Sequence, residues 1–292
     1  MSTHSLCCIG YITQDKVVTP QNTIFMPGGT SFYFAHAIKH LNTNDFLLVT
    51  ALADCDKGIV EDIEKEGIDV KALPSTHSVC FENIYGDNQN ERTQRVTAKA
   101  DPFTVEGLKD INAQIIHLGS LLADDFSLDI IKYLSGKGLL SVDVQGFLRK
   151  VDNEQVLPVD WEEKKEALKY IHILKANEAE MEVLTGCTEP HEAALLIADW
   201  GVKEVLLTLG DKGSLIYSKG QFYEIPAYPA LRIVDATGCG DTYMVGYLYM
   251  RNKGVSYKEA GCFAAAMCTI KLQSHGPFCG TEAEINKIIN FN

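Results

Sequence analysis

The chain has 292 residues, enough to bury a sizeable core, and its 46% hydrophobic and 22% charged residues match an ordinary globular protein. Its net charge of −13, from 26 basic and 39 acidic residues, argues against nucleic acid or an anionic membrane surface as main partner, so an anionic substrate needs a local positive site. No apolar stretch is long enough to span a bilayer and no signal-peptide pattern opens the chain. Nine scattered cysteines without a Cys-x-x-Cys pair point to a reduced, cytoplasmic protein.

In chain order, residues 6–12 read as a buried strand in which Cys7 and Cys8 act as small hydrophobes. Residues 32–41 read as a helix after Gly28-Gly29, 46–52 as a strand and 58–66 as a helix. His36 and His40 have metal-binding spacing, but no glutamate or cysteine accompanies them and Phe32, Ile38 and Leu41 form a core stripe, so their expected role is structural. From 78 to 96 the pattern becomes a hairpin, broken by the polar turn Gly86-Asp87-Asn88-Gln89-Asn90. Strands at 115–118, 139–142, 171–174 and 205–209 then alternate with helices at 126–134, 178–184 and 192–200. This alternation predicts βαβ units, a mostly parallel sheet and a ligand beyond the strand ends. Two β segments, 214–217 and 221–225, lead to a β-branched strand at 232–234, a glycine turn, a helix over 243–250 that stops at Gly254, and closing helices.

The glycine turn, Asp235-Ala236-Thr237-Gly238-Cys239-Gly240-Asp241, carries the chemistry. A strand, a glycine turn and a helix start bring backbone N–H groups and the positive end of the helix dipole to one point, which suits a phosphate. Asp241 would repel that phosphate unless it works as a base toward an attacking hydroxyl. The plainer alternative is that Asp241 caps the helix and the glycines only turn the chain. The stretch is neither a Walker loop nor a dinucleotide fingerprint, since Tyr243 stands where a third glycine would be needed.

Gly10-x4-Asp15, Gly28-Gly29, Asn177-x-x-Glu180, Thr208-x-Gly210-x-x-Gly213 and the 235–241 turn share order and spacing with ribokinase-like, PfkB-type carbohydrate kinases. The chain resembles that family over nearly its whole length, with Cys239 where the family usually has alanine. The resemblance implies one α/β domain over 1–292, a mostly parallel sheet flanked by helices, and a small β lid from about 11–27 and 78–97. It implies ATP and Mg²⁺ as cosubstrates and a soluble polyol or sugar acceptor, and it allows a homodimer through the lid.

By the same resemblance, Asp241 is the base, and the N–H groups of Gly238, Cys239 and Gly240 stabilise the transferring phosphoryl group. Lys175, Asn177 and Glu180 organise the phosphates, with Glu180 reaching Mg²⁺ through water, while Thr208, Gly210 and Gly213 underlie the nucleotide. Asp235 lies where related kinases hold a monovalent cation, so K⁺ is expected beside it. Asn177 and Glu180 also have capping-box spacing, and 210–213 could be only a hairpin turn. Asp15, Gly28 and Gly29 fall at the acceptor site. Tyr33 replaces the asparagine of ribokinase and fructokinase, and Asn83 with Gln145 and Arg149 resembles the inositol kinase branch. The expected activity is therefore a kinase of a cyclitol such as myo-inositol. A ribokinase- or fructokinase-like sugar kinase, a nucleoside kinase and an inactive sugar-binding regulator are the alternatives.

Overall fold

The apolar runs of the chain come together as one wide sheet. The computed structural model describes residues 4–18, 22–41, 43, 45–85 and 92–291. Its strands are β1 (His4–Gly10), β2 (Thr13–Val18), β3 (Thr23–Gly28), β4 (Phe46–Leu52), β5 (Asp69–Pro74), β6 (Cys80–Tyr85), β7 (Arg92–Ala98) and β8 (Ala113–Gly119). They continue as β9 (Leu139–Asp143), β10 (Arg149–Asp152), β11 (Gln155–Pro158), β12 (Ile173–Asn177), β13 (Glu204–Thr208), β14 (Ser214–Ser218) and β15 (Gln221–Ile225). The helices are α1 (Thr30–Lys39), α2 (Lys57–Lys65), α3 (Leu128–Ser135), α4 (Lys164–Ala167), α5 (Glu178–Thr185), α6 (Pro190–Asp199), α7 (Cys239–Asn252), α8 (Tyr257–Lys271) and α9 (Glu282–Phe291).

The wide sheet has the order β15-β14-β13-β12-β9-β8-β1-β4-β5. Its strands run parallel from β13 to β5, and β14 alone runs against them, antiparallel to both β13 and β15. Two clusters of buried side chains fill its two faces: Ile9, Leu118, Val142 and Leu174 sit in one, and Leu6, Cys8, Ile115 and Ile173 in the other. This is the alternation of a strand covered by helices on both sides. The carboxyl ends of β1, β8, β9, β12 and β13 therefore open on one edge, where a parallel α/β sheet takes its ligand.

A second sheet, β10-β11-β7-β6-β2-β3, stands apart from the first. It includes the stretches expected to form the lid, and adds the β10–β11 hairpin that the sequence pattern does not reveal. The expected turn at 86–90 lies outside the described residues. No helix among the described residues is long and apolar enough to cross a membrane.

One expected strand is absent. Residues 232–234 are irregular, although Ile233 and Val234 are β-branched. The chain has left the sheet edge at β15, and Leu231 and Ile233 stand 97% and 77% exposed. With no neighbouring strand to pair with, the segment is held instead by Leu272, whose carbonyl accepts from the N–H groups of Val234 (2.7 Å) and Asp235 (3.3 Å).

Candidate active site

Gly238 sits in the left-handed region at φ 77° as the N-cap of α7, and Asp241 is the third residue of that helix. A side chain at 238 would be excluded twice. The backbone angle disfavours it, and a Cβ there would lie 2.2 Å from Cδ1 of Tyr33, whose ring packs against the loop. Asp235 shapes the turn, its Oδ1 accepting from Thr237 N–H at 2.9 Å. The Cys239 N–H, expected among the phosphoryl donors, instead bonds the Ala236 carbonyl at 3.1 Å and closes the turn. Gly238 and Gly240 are then the remaining donors of the expected set.

Asp241 does not act as a side-chain cap of α7. Its carboxylate faces the start of α1, where the Thr30 hydroxyl donates to it, and burial pushes its pKa up to about 7, aided by Asp143 and opposed by Lys175. Lys175, in the middle of β12, is itself buried and places Nζ 2.9 Å from Asp143 Oδ2 and 3.5 Å from Glu180 Oε2. Burial works against its charge, but those carboxylates hold its pKa above the ordinary lysine range. Lys175 Nζ is also 3.1 Å from where a Cβ on Gly240 would be, so the ammonium borders the glycine loop. A carboxyl group whose affinity for protons lies near neutrality, beside a glycine turn at a helix start and a buried cation, suits general-base chemistry on a hydroxyl.

Asn177 and Glu180 form the capping box that their spacing allows, and one Glu180 oxygen is left over. The box closes the start of α5, with Glu180 N–H on Asn177 Oδ1 (2.9 Å) and Asn177 N–H on Glu180 Oε2 (2.8 Å). The second oxygen, Oε1, is buried with no hydrogen-bond partner among the described residues. Thr208 pairs in register with Asn177, and its hydroxyl donates to the Ala176 carbonyl at 3.4 Å. Gly210 and Gly213 do bound a hairpin turn between β13 and β14, and Lys212 ties that turn to Glu178 of α5 at 3.2 Å.

The acceptor-side residues divide between the sheets. Asp15 on β2 packs on β3, where a Cβ on Gly28 would be 2.7 Å from its Oδ2. Gly29 is the N-cap of α1. Asn83 on β6 is buried, and its Oδ1 accepts from Gln94 at 3.0 Å. Gln145 caps a short turn after β9, its N–H on Asp143 Oδ1 at 3.1 Å. Arg149 opens β10, and its charge favours the ionised form of Glu180.

Three residues absent from the expected site belong to it. Thr30 is the first residue of α1, and Asp143 is the last of an apolar strand, the position where a parallel sheet delivers a functional side chain. The third, Lys271, ends α8 and binds Asp235 with its ammonium at 3.2 Å. That ammonium occupies the surroundings in which K⁺ was expected.

A hydroxyl that gives up its proton as its oxygen attacks phosphorus needs this kind of base and this kind of loop, the arrangement of a phosphotransferase with an alcohol acceptor. The chain belongs to the pfkB family of carbohydrate kinases, whose profile matches residues 4–282. It is 28% identical over 258 residues to a ribokinase of Arabidopsis thaliana, a match covering 84% of this chain and 64% of that protein, so the chain spans less than two thirds of that relative. It is 25% identical over 291 residues to a nucleoside kinase of Methanocaldococcus jannaschii, covering 93% and 91%. The fold is ribokinase-like. A pyrophosphate-dependent kinase of the ribokinase family, solved with a pyrophosphate analog and myo-inositol, superimposes with a TM-score of 0.86 at 29% identity, covering 97% of this chain and all of that one (100%).

Proposed function

We propose that this protein is an ATP-dependent kinase that phosphorylates a hydroxyl of a cyclitol such as myo-inositol. The observation that carries the reading is Asp241, a carboxylate with a pKa near 7 at the start of α7. The acceptor oxygen attacks the γ-phosphorus while Asp241 takes its proton. The bond to the departing diphosphate breaks, and Gly238, Gly240 and Lys175 offset the charge on the moving phosphoryl group. Mg²⁺, when bound, neutralises donor phosphates. No three His, Cys, Asp or Glu side chains among the described residues converge as a direct metal cage. The unpartnered Glu180 Oε1 suits an ion that keeps its waters.

The cyclitol reading rests on Tyr33, whose ring fills space against Gly238 where simple sugar kinases carry a short amide, and on the likeness to the kinase bound to myo-inositol. Asn83, Gln145 and Arg149 supply amide and guanidinium groups for a ring with many hydroxyls. A site built for many hydroxyls rejects analogues that leave its polar groups unpaired. That same relative uses pyrophosphate, which makes pyrophosphate the second reading for the donor.

The deciding experiment crosses two donors, ATP and pyrophosphate, with myo-inositol, ribose, fructose and adenosine, and follows phosphorylated acceptor by phosphorus NMR. The expected result is the highest kcat/KM for ATP with myo-inositol. A win for another acceptor overturns the cyclitol, a win for pyrophosphate overturns the nucleotide, and no transfer at all leaves a sugar-binding regulator. Within the same assay, Glu180→Gln is expected to raise the half-saturating Mg²⁺ concentration about tenfold, the low end for losing a group that orients a metal's shell. Glutamine still closes the capping box, so the melting temperature stays near wild type. An unchanged Mg²⁺ curve assigns Glu180 to capping alone.

A further inference from the structure

Along α8 the buried positions Ala260, Ala264 and Met267 make an apolar stripe, and the next place on it is Lys271. Its side chain is 0% exposed. Nζ donates to the backbone oxygen of Asp235 (3.0 Å), to Asp235 Oδ2 (3.2 Å) and to the Ser274 carbonyl (3.4 Å). The same Oδ2 accepts from Gly276 N–H at 3.4 Å, while the other carboxylate oxygen caps the turn at Thr237. One buried positive charge is thus ringed by oxygens at the neck of the loop that presents Gly238 and Gly240. A buried ammonium without such partners is strongly unfavourable, so the lysine and this loop conformation require each other.

We propose that Lys271 is a built-in monovalent cation for this loop, so that the enzyme works without bound K⁺. The inference rests on the kinase reading above and departs from the expected K⁺ beside Asp235. A potassium ion would need the same oxygens, and the tethered ammonium both occupies them and repels a second cation. Because the lysine is part of the chain and its ammonium is already held at these oxygens, an ion from solution must displace it to bind. It fixes Asp235, Asp235 fixes Thr237, and the turn then aims its N–H groups at the phosphoryl position. Lys271 is a positioning residue, since it touches the loop and not the reacting atoms.

The test compares wild type, Lys271→Ala and Lys271→Met in K⁺, Na⁺ and tetramethylammonium chlorides at equal ionic strength, reading kcat, the donor KM and the melting temperature. Wild-type rates are expected to agree within about twofold in all three salts. Lys271→Ala removes the ammonium and leaves room, so it should lose at least tenfold in kcat in tetramethylammonium and regain most of it, saturably, in K⁺. Its melting temperature should also rise in K⁺ and not in tetramethylammonium, as expected when an ion binds only the folded state. Lys271→Met fills the space without charge and should be impaired in every salt. Activation of wild type by K⁺ several-fold over tetramethylammonium overturns the proposal, as does wild-type kcat and donor KM in Lys271→Met. If wild type transfers no phosphoryl group from any donor, the kinase reading fails. The melting comparison then judges Lys271 alone: K⁺-dependent stabilisation confined to Lys271→Ala supports the cation role, and its absence overturns it.

Discussion

Asp241→Asn is expected to lose about 10²- to 10⁴-fold in kcat, the range for removing a general base, with the donor KM little changed. Asparagine keeps the shape of the side chain and cannot take the acceptor proton. The same substitution is expected to make the protein more stable. Burial raises the Asp241 pKa to about 7, so the folded state binds a proton more tightly than the unfolded chain does. For a raised acid the folded state is favoured at low pH, and that advantage is lost as pH climbs from the ordinary carboxylate range near 4 to about 7. Above pH 7 the folded protein carries the full cost of holding the charge, bounded at about 4 kcal/mol for three pH units at about 1.4 kcal/mol each. Partial contact with solvent reduces this, so a melting temperature a few degrees above wild type at pH 8, with no difference at pH 4, is the expected outcome. The wild-type rate should fall as pH drops below 7, as Asp241 becomes protonated. A variant with near-normal turnover, or an acid limb at the ordinary carboxylate pKa, would remove Asp241 from the role of base.

A residue that stabilises when lost and inactivates when lost is the local conflict a sequence shows at a functional site. The 235–241 turn was legible for that reason, because an acid beside two glycines at a helix start serves neither turn nor phosphate by itself. The parallel strands were legible because β1, β4, β8 and β12 are buried on both faces and read as largely apolar runs without a strict alternation. The second sheet was only partly legible. Strands such as Thr13–Val18 and Arg149–Asp152 are polar and half-exposed, so neither a run nor a clean alternation marks them. At 232–234 the β-branched residues misled, because propensity forms no strand without a neighbour to pair with.

The site residues missed by the sequence were missed for a different reason. Asp143 and Lys175 lie 32 residues apart, and only the adjacency of β9 and β12 makes them a pair. Thr30 reaches Asp241 from a helix some two hundred positions away in the chain. Lys271 left a trace, since a lysine on the apolar stripe of α8 must find a partner inside, but nothing in the sequence says that the partner is Asp235. Local chemistry can be read along a chain; contacts between distant segments wait for topology.

The pair that topology creates gives the second large expected effect. Lys175→Met removes the buried cation facing Asp143, Glu180 and Asp241, leaving three carboxylates close together with the ammonium gone. Breaking one side of a buried ion pair costs about 3–5 kcal/mol, because the other charge stays buried and uncompensated. The variant is therefore expected to melt on the order of 10 °C lower than wild type. Lys175 also holds the Asp241 pKa down, so its loss moves the acid limb of the pH–rate profile above 7 and depresses turnover at pH 7 more than at pH 9. Adding Asp143→Asn to Lys175→Met removes the orphaned charge and the carboxylate that raises Asp241. The double variant should recover stability, with a coupling of about 1–3 kcal/mol between the two positions, and its acid limb should move back toward 7. Denaturant unfolding of the four proteins in the cycle, together with their pH–rate profiles, makes the comparison. Additive stabilities and an unmoved acid limb would mean that Lys175 fills space and does not set the charge of the base.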